Sequence, residues 1–156
     1  MAKLTIELVP QSTWGDNLRS RLPPGKWDQL RKASYAGAGF KCEVCGGVGN
    51  KHPVECHEIW EYDDVNHVQY LLGLVSLCPA CHECKHYGRA QAVGRGEIAL
   101  NHLMKVNAWS PKEAHTYIAQ AFAKWRERSR FSWRLDLSKL KEIEEPKKKY
   151  IGEWTL

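Results

Sequence analysis

Apolar and polar residues alternate through KLTIELV, residues 3–9, in a β-branched context that predicts a strand ended by Pro10. WRLDL, residues 133–137, alternates in the same way. The two are expected to pair and tie the ends of the domain together. Between them, PVECHEIW (53–60) and VQYLLGLVSL (68–77) read as two strands joined by a polar loop with Asp63, Asp64 and Asn66. The period turns helical in GKWDQLRKASYAGA, where Trp27, Leu30 and Ser34 follow the punctuation of Pro23, Pro24 and Gly25. A helix is expected from Pro79 to Tyr87, closed by Gly88, and another over EIALNHLMKV (97–106). SPKEAHTYIAQAFAKWRERS carries the fullest helix signal: Ser110 as N-cap, Pro111 at the first helical position and Glu113 completing a capping box. Ala114, Tyr117, Ile118, Ala121, Phe122 and Trp125 fall on one face of it, which is a core face. Residues 142–149 are charged and expected to be mobile.

Composition narrows the class. At 156 residues and 43% hydrophobic, the chain suits one domain with its own core. The N-terminus lacks the apolar core of a signal peptide, and no apolar run is long enough to span a bilayer. A reducing, cytoplasmic location without membrane partners is expected, and there paired CxxC motifs read as metal ligands before disulfides. The formal charge of +5 is unevenly spread: residues 53–66 carry five acidic side chains and no Lys or Arg, whereas residues 112–134 hold six Lys or Arg against two Glu. A basic body around an acidic patch suits a protein that attracts a polyanion and holds a cation at one spot, although solvated surface gives the same pattern.

The six cysteines are Cys42, Cys45, Cys56, Cys78, Cys81 and Cys84. CEVC (Cys42, Cys45) and CPAC (Cys78, Cys81) have the spacing that brings two thiolates to one cation. Together they make a closed tetrahedral site suited to structural zinc. A redox dithiol or two unrelated pairs are the alternatives. His82, Cys84 and His86 remain in LCPACHECKH. On a helix His82 and His86 share a face, while Cys84 lies about 200° around from His82. A second metal on the two histidines needs partners from another element. The acidic strand with Cys56, His57 and Glu58 is the candidate.

CEVC, ECHEIW and LCPACHECKH together resemble the HNH, or ββα-metal, nucleases, in the subgroup with a four-cysteine zinc, over residues 42–90. The resemblance implies that His57 is the general base. It also implies that Cys56, where the family usually has Asp or His, binds the catalytic metal with His82 and His86, and that Gly73 stands where the family usually has a bracing Asn. In a regular strand Cys56 and His57 point to opposite faces, so both serve one phosphate only if the strand is strongly twisted or bulged there. The alternative for Cys56 is a small buried apolar residue.

The expected fold class is α+β: a small zinc-bound ββα-metal core with flanking helices and a terminal strand pair. Residues 1–41 supply an N-terminal strand and helix, 91–137 the C-terminal helices and strand, and 138–156 a charged tail. The expected function is metal-dependent hydrolysis of phosphodiester bonds in nucleic acid, DNA foremost. Lys85 and Arg89 are placed to hold the scissile strand. The expected cofactors are a structural zinc and a second divalent metal, Zn, Ni, Mn or Mg. One such centre cuts one strand, so double-strand cleavage takes a homodimer or two visits. The alternative is a zinc protein that keeps this scaffold without turnover and binds nucleic acid, or inhibits another nucleic-acid enzyme by contact with a protein partner.

Overall fold

A computed structural model describes residues 2–144. Strands β1 (Glu55–Asp63) and β2 (Val68–Leu77) form the antiparallel hairpin, in register from Glu55 opposite Leu77 to Asp63 opposite Val68, with a bulge between Ile59 and Trp60. The turn is organised by Asp63, whose Oδ1 accepts hydrogen bonds from the backbone N–H groups of Val65 (3.0 Å) and Asn66 (2.9 Å). The hairpin is longer than the alternation indicated, because this turn lets pairing run on through Asp63.

The expected terminal strand pair is not formed. β3 (Arg134–Asp136) lies parallel to the start of β2, with Val68 opposite Arg134, giving the sheet order β1-β2-β3. Residues 3–9 run without a strand partner, and side chains of two helices satisfy their backbone instead. Asn107 accepts from the N–H groups of Lys3 (2.7 Å) and Leu4 (2.9 Å) and donates to Leu4 O (2.8 Å), while Tyr117 accepts from Ile6 N–H (2.9 Å). Glu7 N–H donates to Lys85 O (2.9 Å). The alternation was real, since Leu4 and Ile6 are buried. It marked a half-buried extended segment rather than a ladder.

Around the sheet are α1 (Leu18–Arg21), capped by Asn17, and α2 (Pro24–Gly37). The helix expected over 79–87 is two: α3 (Pro79–Lys85) and α4 (Tyr87–Ala92), broken at His86 (φ −96°, ψ 47°). Gly88 therefore lies inside α4 rather than closing a helix. α5 (Gly96–Asn107) ends at Ala108 in the left-handed region. α6 (Pro111–Arg128) has the capping box read from the sequence, with Ser110 and Glu113 each bonding the other's backbone N–H (2.7 and 3.2 Å). A short α7 (Leu140–Glu144) forms within the stretch read as tail, where Leu140 and Ile143 pack on the buried Leu18, Trp60, Leu71 and Leu135. The rest of the tail, residues 145–156, and with it most of the stretch expected to be mobile (142–149), lies outside the described residues. A second buried cluster joins Leu4, Ile6, Leu77 and Leu103 to Cys42, Cys78, Cys81 and Cys84. Among the described residues no helix is long and apolar enough to cross a membrane.

Candidate functional site

Two tight turns bring four cysteines together. Cys78 is the N-cap of α3, with Pro79 at the first position and its Sγ accepting from Cys81 N–H (3.4 Å). In the other turn Cys42 Sγ accepts from Cys45 N–H (3.5 Å) and Cys45 Sγ from Gly47 N–H (3.4 Å), with Gly46 at φ +76° reversing the chain. The loop beyond closes over α3 at Gly49, where a Cβ would stand 2.3 Å from His52 O and 2.7 Å from Pro79 Cδ, so no larger residue fits.

The four Sγ atoms lie within 4.8 Å of one another, and Cys45 and Cys78 are 3.6 Å apart. Thiolates about 2.3 Å from a tetrahedral zinc stand roughly 3.8 Å apart, so the spacing fits. The charge state fits too. Burial alone would raise the Cys42 thiol, but backbone N–H groups of Cys45, Cys78 and Val44 bring it down to about 7. Burial pushes Cys78 and Cys81 up, and the neighbouring Cys42 thiolate adds to this. Four thiols this close ionise together only when a cation neutralises them, so this cluster could hold zinc. His102 on α5, which the motifs did not reveal, places Nε2 3.2 Å from Cys81 Sγ, where an N–H would support a thiolate.

The second cluster is made of three histidines. His57 of β1, His82 of α3 and His86 at the α3–α4 break offer ring nitrogens that all lie within 4.8 Å of one another. His82 Nε2 and His86 Nε2 are 3.1 Å apart, close to the roughly 3.3 Å expected for two nitrogens on one tetrahedral zinc. Carboxylates fix two of the rings from behind. Glu55 Oε1 lies 2.9 Å from His82 Nδ1, and Glu7 Oε1 lies 2.8 Å from His57 Nε2. A carboxylate on one ring nitrogen sets the tautomer and leaves the lone pair on the other, the usual support of a metal-binding histidine. Desolvation lowers His82 against the opposing pull of Glu55. Desolvation, with the charges of His82 and His57, takes His86 down to about 4. Both rings are therefore neutral near pH 7, the form that binds metal. The donor set suits zinc, nickel or copper better than magnesium.

Cys56, which the resemblance made a metal ligand, lines the same cleft as the histidines but is not one of the three residues that cluster there. β1 pairs regularly from Glu55 to Ile59, and the bulge, at Leu72 of β2, comes later, so neighbouring residues of β1 face opposite sides. His57, only 6% exposed, turns to α3, whereas Cys56 turns to α2 with Ser34 beside its thiol and joins neither cluster. Burial pushes the Cys56 thiol up to about 12. Glu58 shares that side; its Oε2 accepts from Leu18 N–H (3.3 Å), and burial raises its carboxyl to about 7. Gly73 sits opposite Ile59, and the side chain that positions His57 is Glu7, from the segment expected to be a strand.

The histidines form part of the wall of a cleft of about 650 Å³ that wraps the edge of β1, with Trp14, Arg19, Gln69, Arg89 and Trp125 around it. Of the two basic residues expected at the substrate, Arg89 lines the cleft. Lys85 does not: its Nζ donates to Thr5 Oγ1 at 2.7 Å. The sequence carried a partial signal for Glu55, in the acidic patch beside Cys56. It carried none for Glu7 or Arg19, whose importance depends on contacts across the fold. Comparison with protein-family models, with curated proteins and with solved structures returned no match.

Proposed function

We propose that the protein is a metal-dependent phosphodiesterase of the HNH type, an endonuclease acting on nucleic acid, with DNA as the first substrate to test. The observation that carries this reading is the convergence of His57, His82 and His86 in a cleft that also holds Arg19 and Arg89. The hairpin followed by a histidine-bearing helix, next to a four-cysteine cluster, supports it, because the motifs CEVC, ECHEIW and LCPACHECKH lie on those elements.

In this reading His82, His86 and His57 would hold the metal, His57 in the third place that the resemblance gives to Cys56. When bound, the metal supplies a Lewis acid that lowers the pKa of water and offsets charge developing on the phosphate. Glu7 and Glu55 keep the rings in the metal-binding tautomer and orientation. Arg19 and Arg89 grip phosphate oxygens and hold the strand in the cleft. The four-cysteine zinc fixes the start of α3, and with it His82, relative to the loop before β1.

The test is plasmid nicking with Mg, Mn, Ni or Zn, beside elemental analysis. Two metals per chain and nicking with zinc or nickel are expected. Absence of cleavage of both plasmid and single-stranded DNA with every metal would leave the non-catalytic zinc protein. His57→Ala should lose one metal equivalent and activity together. Activity lost with both metals retained would return His57 to the role of general base.

A further inference from the structure

We propose that the cleft binds an unpaired nucleobase on the exposed face of Trp14, so that the protein selects single-stranded or locally melted nucleic acid over intact duplex. This rests on the phosphodiesterase reading for the position of the scissile phosphate, but not for binding itself.

Trp14 is 58% exposed and lies nearly parallel to Trp125, with ring centroids 6.0 Å apart and an interplanar angle of 10°. Both indoles donate their Nε1–H to one acceptor, the Val9 carbonyl, at 3.0 and 2.9 Å. The polar edge of each ring is thus engaged inside the protein, and the plane of Trp14 is set before any ligand arrives. Such a fixed aromatic surface loses little entropy on binding. An exposed indole held this way contributes little to the core, yet it borders the cleft that holds the histidines and the two arginines.

Gln69 lies beneath the same surface. Its side chain is 1% exposed and lines the same cleft, and one end of its amide pairs with Thr13 Oγ1 at 2.8 Å. The other end has no hydrogen-bond partner among the described residues. That end is closed off from solvent, so no ligand reaches it without a shift of the cleft wall, and the base face and the phosphate carry the recognition. A flat apolar surface and two arginines in one cleft match two parts of a nucleotide: base face and phosphate.

The preference for an unpaired base follows from geometry. In a duplex both faces of each base are covered by its neighbours, so stacking on a tryptophan requires a base already free of the stack. The cleft is also in the size range of small-molecule pockets, with room for a nucleotide rather than a double helix.

The experiment measures fluorescence anisotropy of a fluorescein-labelled, phosphorothioate-linked oligothymidine and of its duplex with oligoadenine, titrated with the full-length protein. The single strand should bind at least about tenfold more tightly. Trp14→Ala should lower single-strand affinity by roughly tenfold or more, Trp14→Phe should lose much less, and neither should change duplex binding or melting temperature. Equal affinity for the two probes, or a Trp14→Ala protein that binds the single strand as the wild type does, overturns the proposal. Trp14-dependent binding in a protein that cleaves neither plasmid nor a phosphodiester-linked single strand sinks the catalytic reading alone. Nicking without that dependence sinks this inference alone.

Discussion

Glu7 and His57 are 50 residues apart in the chain, yet Glu7 Oε1 and His57 Nε2 lie 2.8 Å from each other in a largely buried pair. The contact exists because Asn107, Tyr117 and Lys85 hold residues 3–7 against the helices, delivering a carboxylate to the back of the His57 ring.

Glu7→Ala should therefore weaken the histidine metal site by 10–100-fold, the usual cost of losing a carboxylate behind a ligating histidine. A competition titration with nickel measures it, with the cysteine zinc as internal control. Unchanged nickel affinity would reduce Glu7 to a structural contact.

The cysteine cluster makes a different demand. Cys81 is fully buried within a core cluster that includes Leu4, Leu77 and Leu103. Cys81→Ser, or exhaustive chelation of the wild type, should remove a metal equivalent and abolish cooperative melting, since metal binding at such a site is part of the folding free energy. A Cys81→Ser protein that melts as the wild type does would show that these four thiols hold no structural ion.

Cys56 belongs to neither cluster of candidate metal ligands. Its thiol faces α2 and burial keeps it neutral, so Cys56→Ala should leave both metal equivalents in place. Cys56→Asp should destabilise the fold by about 3 kcal/mol or more, because it buries a carboxylate near Glu58 and Glu43, and Arg31, the cation that acts on this position, is already paired with Asp28 (2.8 Å). Urea titration with elemental analysis reads both effects. Loss of the second metal in Cys56→Ala would restore Cys56 as a ligand.

Asp64, in the hairpin turn, binds Arg128 (2.8 Å) and Lys124 (3.3 Å) of α6. The Arg128 hydrogen bond holds the Asp64 carboxyl below its ordinary value. The folded state thus binds the proton less readily than the unfolded chain. This stabilisation is present above about pH 4 and disappears as pH falls through the lowered value. The partners are partly exposed, so Asp64→Asn should cost only about 0.5 kcal/mol at neutral pH and low salt, and less at high salt. A salt-independent loss would point to packing instead.

Much of this molecule was determined locally. The hairpin alternation, the capping box of Ser110 and Glu113 and the two CxxC turns each depend on residues within a few positions of one another, and each formed where the sequence indicated. The i, i+4 spacing of His82 and His86 likewise put both rings on one side, even across a helix break. Tertiary structure decided the partnerships. Alternation in residues 3–9 and 133–137 required an apolar neighbour for every second residue, and either a strand or a helix surface meets that need. The first segment met the helices and the second met β2. The choice between Cys56 and His57 turned on where the pairing of β1 with β2 is interrupted, which is at Leu72 of β2, beyond Ile59, and is not encoded in the dipeptide itself. Glu7, Arg19 and Trp14 gained their places in the cleft only when distant segments packed, because no spacing rule relates residues whose contact is set by the path of the chain between them.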